Sequence, residues 1–308
     1  MQRARNLGLR RVRPAGLLHR PSERASVPLP TVRRAFADTS FGQMHYRLAG
    51  SGAPVLLCHA SPGSSKQLES LICRLASTRL VIAPDTPGNG DSSRLPIADP
   101  TAADYANALL EFLDATGIVR CDAYGSHTGT AILTELAILA PKRIDRLVLD
   151  GLAVFTRSQR NEYLRRYALP FEADLDGAYL IRAFMFCRDQ YLFFPWYARD
   201  REHRRERGLP PPDQLHDWVL EVLKAKDSYH LAYRAAFSYS AAERARLLQQ
   251  PTLALTAADD PLRKGTESAV AGMASGRYLA LPAIGEQGYE AGLADAILEF
   301  CQLRDLAS

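Results

Sequence analysis

The chain has too few cysteines, too widely scattered, for a disulfide framework. Cys58, Cys73, Cys121, Cys187 and Cys301 are odd in number and form no CxxC pair. Buried free thiols in a reducing, cytoplasmic setting are the expectation. Cys58 adjoins His59, but its apolar strand context reads as a buried thiol rather than a nucleophile. No apolar run approaches the length of a membrane span, so no membrane partner is expected. No two histidines or carboxylates share ligand spacing on one element, which argues against a metal site, and no cofactor is expected. Lysine is scarce beside arginine throughout.

The net charge of +4 is unevenly placed. Residues 1–35 hold nine arginines and one acid, Glu23, leaving the remainder mildly acidic. This stretch contains prolines and serines and no apolar h-region, so it does not read as a secretory signal. A disordered basic tail is expected over 1–35. Its basic residues lie on a proline-broken segment rather than a folded face, so nucleic acid is not an expected partner. A small-molecule substrate is expected, and a homodimer is left open.

Hydrophobic residues make up 47% of the chain, enough for one large domain with an insertion. Apolar strands alternate with amphipathic helices, which implies a mostly parallel sheet covered on both faces. Gln43–Leu48 alternates, Val55–His59 and Arg79–Asp85 are continuous apolar runs, and Arg120–Gly125 and Arg146–Asp150 follow. Thr101 with Asp104, and Thr156 with Gln159, have capping-box spacing. Residues 155–245 break the alternation. They read as helices, including 214–225 and 228–238, with Phe184, Phe186, Tyr191, Phe193, Phe194, Trp196 and Tyr197 clustered among them. That aromatic stripe reads first as core and second as a substrate cradle.

The central motif is Gly125-Ser126-His127-Thr128-Gly129, between a strand and the helix Thr130–Ala140. A strand, a small-x-nucleophile-x-small turn and a helix resemble the nucleophile elbow of the α/β-hydrolase superfamily. Gly125 and Gly129 satisfy that turn only if His127 occupies its centre; Ser126 is one position out of register. Pro251–Pro261 resembles the strand ending in the triad acid, with Asp260 the better-placed carboxylate. Arg277–Glu286 resembles the last strand and loop, but Glu286 stands after Gly285 where the family places its histidine. His59-Ala-Ser-Pro-Gly resembles the oxyanion loop with Ala60 in place of glycine. Asp85-Thr-Pro-Gly-Asn-Gly-Asp also sits where the fold requires it.

The resemblance covers about residues 36–154 and 246–305. It implies a mostly parallel eight-stranded sheet with helices on both faces, a core of 36–154 and 246–308, and an α-helical cap of 155–245. It also implies His127, Asp260 and Glu286 as the catalytic set, with Asp150 as the alternative acid. The oxyanion donors it implies are the backbone N–H groups of Ser61 and Thr128. His59 is expected to serve nearby backbone. His45, His203 and His216 are expected on strand edges or exposed helices, and His230 to be able to reach the pocket.

Imidazole can act as base or nucleophile near neutral pH. The base role is favoured, because no second histidine is evident to serve a nucleophilic one. Hydrolysis of a small ester, amide or C–C bond is the leading expectation. Cofactor-free lyase, decarboxylase or isomerase chemistry is the alternative, as is a catalytically dead binding protein.

Overall fold

The computed structural model describes residues 30–302. The tail expected over 1–35 lies outside the described residues up to position 29.

Eight strands form one sheet: Arg33–Thr39 (β1), Gly42–Ala49 (β2), Pro54–Cys58 (β3), Leu80–Pro84 (β4), Cys121–Ser126 (β5), Ile144–Asp150 (β6), Thr252–Ala257 (β7) and Gly276–Leu281 (β8). The spatial order is β1-β2-β4-β3-β5-β6-β7-β8. β1 and β2 pair antiparallel, as do β2 and β4; every pairing from β4 to β8 is parallel. The core therefore begins at Arg33, not residue 36. Arg33 and Arg34 pair through their backbones with Leu48 and Arg47. An exposed edge strand carries arginines without burying their charge.

The long apolar runs became central strands because helices cover both faces. On one face lie Ala102–Ala115 (α2), Thr128–Leu139 (α3), Ala241–Ala245 (α8) and Arg263–Val270 (α9), sharing a core with Leu109, Phe112, Leu133 and Leu136. On the other lie Glu69–Leu75 (α1) and Tyr289–Gln302 (α10), packed through Ile72, Leu75, Ile297 and Phe300. Each such fully buried side chain contributes roughly 1.5–3 kcal/mol. Thr101 and Asp104 form the expected capping box at the start of α2. α3 is buried from Thr128 to Ala137, as a helix behind a central strand must be.

Between β6 and β7 the chain leaves the sheet for Arg157–Arg166 (α4), Ala178–Leu192 (α5), Pro212–Lys224 (α6) and Tyr229–Ser238 (α7). Thr156 and Gln159 cap α4 as their spacing requires. The cap has its own aromatic core of Tyr163, Tyr167, Phe186, Tyr229, Tyr233 and Phe237. The aromatic stripe divides: Phe186 is fully buried, Phe184 is exposed, and Tyr191 and Phe194 face a cavity between cap and sheet. Below the cap, Glu135 of α3 is buried and accepts from Arg244 Nε and Nη2 (2.7 and 2.8 Å) and from the Tyr239 hydroxyl (2.7 Å). No helix among the described residues is long and apolar enough to cross a membrane.

Candidate active site

β5 ends at Ser126 and α3 begins at Thr128, so His127 alone makes the turn. Its φ of 47° and ψ of −105° are strained, and it is the one non-glycine residue with positive φ among the described residues. Its neighbours explain why the turn holds. A Cβ on Gly125 would stand 2.7 Å from Gly129 O, and one on Gly129 would stand 2.4 Å from Cys58 O. The His127 N–H donates to Asp150 O at 2.8 Å, and its carbonyl accepts from the Thr130 hydroxyl at 2.6 Å. The imidazole lies over Gly151, where a Cβ would come within 2.5 Å of His127 Cδ2. Sequence reasoning missed Gly151. Its signal was a glycine directly after the β6 carboxylate.

His127 Nε2 is 2.8 Å from Asp260 Oδ2. The other Asp260 oxygen accepts the Leu262 N–H at 2.7 Å, which fixes the carboxylate. Burial alone would raise the Asp260 pKa, but His127 and the Leu262 amide hold it below the usual carboxylate range. Burial alone would lower the His127 pKa; the charge and hydrogen bond of Asp260, with Asp150 adding, carry it above 6.5 instead. With Nε2 facing Asp260, the proton belongs on Nε2 and Nδ1 carries the lone pair. Nδ1 has no hydrogen-bond partner among the described residues, and His127 lines the cavity.

Asp150 lines the same cavity from the end of β6. Its carboxylate does not bond the His127 ring; it accepts the Tyr124 hydroxyl at 2.8 Å. Burial, reinforced by the Asp260 charge, pushes its pKa up to about 7, against the pull of His127 and Tyr124. Two carboxylates therefore flank one imidazole with pKa values pushed in opposite directions, Asp260 down and Asp150 up.

The expected oxyanion donors come together but are not open. The Ser61 N–H donates to Thr128 Oγ1 at 2.7 Å, and that hydroxyl donates to Ser61 Oγ at 3.1 Å. The Thr128 hydroxyl thus occupies the Ser61 N–H that was expected to meet an oxyanion. The Thr128 N–H, in the first turn of α3, has no intrahelical acceptor. His59 serves nearby backbone, with Nδ1 on Ala60 O at 2.9 Å and Nε2 accepting the Thr86 N–H at 2.9 Å.

Glu286, expected in the catalytic set, bonds neither His127 nor Asp260. Glu286 is exposed, and its carboxylate turns back to accept the Ala283 N–H at 3.0 Å. Short-range closure of its own turn wins over a longer reach. Two histidine expectations also need correction. His45 is buried, not at an exposed edge, and its Nδ1 meets Asp85 at 2.8 Å. His230 lines a separate small pocket with Asp99 and Arg234, not the main cavity. His45, Asp85 and Asp91 have ligand atoms within 4.8 Å of one another. The Asp85 oxygens are already taken by His45, Ser65 and the Asp91 N–H, and none of the three lines the main cavity. Cys58 is fully buried with a pKa pushed up to about 12 by burial, the opposite of an activated nucleophile.

The cavity itself is about 1290 Å³. Its walls include Phe155, Tyr167, Phe194, Trp218 and Phe237 from the cap side and Ser61, His127 and Asp150 from the sheet side.

The fold agrees with the comparisons. Residues 53–268 match the family model described as alpha/beta hydrolase fold, and the chain belongs to that family. Haloalkane dehalogenase 2 of Mycobacterium tuberculosis is 32% identical over 114 residues, covering 37% of this chain and 40% of that protein. The 2-hydroxymuconate semialdehyde hydrolase of Pseudomonas putida is 39% identical over 106 residues, 33% of this chain and 37% of its own length. The matches to these curated relatives thus span about two fifths of the relatives' length. Among solved structures, a hydrolase from Pseudomonas aeruginosa superimposes with a TM-score of 0.68 at 22% identity, covering 87% of this chain and 98% of that one. The enol-lactonase of Burkholderia xenovorans gives 0.66 at 17% identity, covering 87% and 99%. At such identities the likeness is one of fold.

Proposed function

We propose that this chain is a hydrolase in which His127 acts as general base toward a small ester, amide or C–C bond. The observation that carries the reading is the 2.8 Å hydrogen bond from His127 Nε2 to Asp260, on an elbow that faces the cavity. Nδ1 takes a proton from water as the water oxygen attacks the substrate carbonyl. Asp260 stabilises the imidazolium that forms. The developing oxyanion meets the Thr128 N–H, and the Ser61 N–H once the Thr128 hydroxyl turns aside. The imidazolium then returns its proton to the leaving group as the tetrahedral intermediate collapses. Hydrolytic relatives at partial coverage support the reaction class and say nothing of the substrate.

Hydrolysis of p-nitrophenyl acetate by the wild-type chain, lost in His127→Ala with a native circular dichroism spectrum, is the expected result. A fluorophosphonate probe should leave the protein unlabelled. Equal turnover in His127→Ala would end this reading.

A second reading has its own support. Asp150, with a pKa near 7, is an acid lining the same cavity as the base. A base and an acid on one substrate suit enolisation, decarboxylation or isomerisation without a cofactor. Exchange of an α-proton for solvent deuterium without bond cleavage would select it.

A further inference from the structure

Four cations line the cavity among the described residues: Lys66, Arg74, Arg205 and Arg207. Three already face a carboxylate. Lys66 is 3.1 Å from Asp217, Arg74 is 3.2 Å from Glu290, and Arg207 makes a two-pronged contact of 2.6 and 2.8 Å with Asp259. Arg205 is different. It has no carboxylate oxygen within 4.0 Å among the described residues. Its guanidinium is held from behind by main-chain carbonyls, Nη1 on Gln190 O at 3.0 Å and Nη2 on Asp259 O at 3.4 Å. Its Nε–H is buried without an acceptor.

We infer that Arg205 is the anion subsite of this cavity, and that the substrate carries a carboxylate on a small aromatic or apolar frame. The inference rests on the cavity above His127 being the substrate site. Two backbone carbonyls fix the plane of the guanidinium without neutralising it, which is how a cation is held ready for an outside partner. A carboxylate is planar and accepts two parallel N–H bonds, so it can pair with the Nη N–H groups that the two carbonyls leave free. Burial and the nearby Arg207 disfavour the charge on Arg205, and the Asp260 and Asp259 charges only partly offset them. An incoming anion relieves that imbalance. The aromatic walls, Tyr167, Phe194, Trp218 and Phe237, set the apolar part of the ligand.

The test is direct binding to the full chain, followed by calorimetry, of benzoate, phenylacetate and 3-phenylpropionate beside their primary amides. At least one acid should bind tenfold or more tightly than its amide. Arg205→Gln should abolish the preference, and Arg205→Lys should keep part of it, because a lysine retains charge but not the two-pronged geometry. If the glutamine variant fails to fold, the wild-type comparison and the lysine variant still decide. Inert p-nitrophenyl acetate with an intact acid preference would sink the catalytic reading and leave the subsite standing. Acids and amides binding alike in the wild type, or an undiminished preference in Arg205→Gln, would overturn the subsite and reduce Arg205 to a counter-charge for Asp260.

Discussion

The amide of Ser61 and the hydroxyl of Thr128 are hydrogen-bonded to each other at 2.7 Å, across 67 residues of sequence. The cradle expected for a developing oxyanion is thus closed by one of its own members. Removing that hydroxyl frees the Ser61 N–H. Thr128→Ala should raise kcat on p-nitrophenyl acetate by about threefold or more, since one oxyanion donor can be worth ~10²-fold. A fall in kcat would show that the hydroxyl itself assists the reaction.

If His127 is the base proposed, Asp260 sets the working pH. A base must be neutral, and Asp260 raises the His127 pKa against burial. The acid limb of kcat/KM against pH should therefore lie above 6.5 in the wild type and move down in Asp260→Asn, with kcat lower by roughly 10²–10⁴. Glu286→Gln should leave both the limb and kcat in place, because that carboxylate is committed to Ala283. The same shift has a stability sign. With a folded pKa above its unfolded value, His127 stabilises the fold fully below the unfolded pKa, and that contribution is lost as pH rises through the folded one. An unmoved limb in Asp260→Asn would contradict the assignment.

Asp150 makes a separate prediction. Its pKa is raised from 3.8 to about 7, burial being the largest cause. The stability it contributes is present in full below pH 3.8 and is lost as pH rises toward and through about 7. Asp150→Asn mimics the protonated form and loses nothing over that window. Urea titrations at pH 5 and pH 8 should show the variant gaining on the wild type at the higher pH. A constant difference between the two would mean that Asp150 is ionised in the native protein.

Gly151 should tolerate no side chain. Its φ is +80°, and an added Cβ would strike the His127 ring at 2.5 Å. Gly151→Ala should cost about 1–3 kcal/mol of stability from backbone strain and displace the imidazole, with kcat falling more than KM changes. Normal kcat in a stable variant would show that the ring has room to move without consequence.

How much of this was legible beforehand depends on the range of the forces involved. The elbow was readable because a turn that sharp excludes side chains at Gly125 and Gly129, a rule local to five residues. The capping boxes at Thr101 and Thr156 were readable for the same reason. The core strands announced themselves by apolar runs that only a doubly covered sheet can bury. Glu286 was placed by analogy with a position, and its own turn proved the nearer partner. His45 was misjudged because a histidine on an alternating strand gives no sign of a buried carboxylate 40 residues away. Arg205 and Gly151 were missed because their importance arises from what the fold brings beside them, which no periodicity encodes.

The His127–Asp260 contact spans 133 residues, with the whole cap threaded between its two ends. A growing chain completes the elbow strand long before the strand that delivers the acid has been made. Closing so long a loop is entropically slow, so the strained turn must form on packing alone, with its imidazole unpartnered. The proposed catalytic pair is then a late-formed contact, a fastener rather than a nucleus. Substitutions at Asp260 should hasten unfolding and leave the folding rate nearly untouched, so that on this scaffold chemistry and kinetic persistence are governed by the same bond.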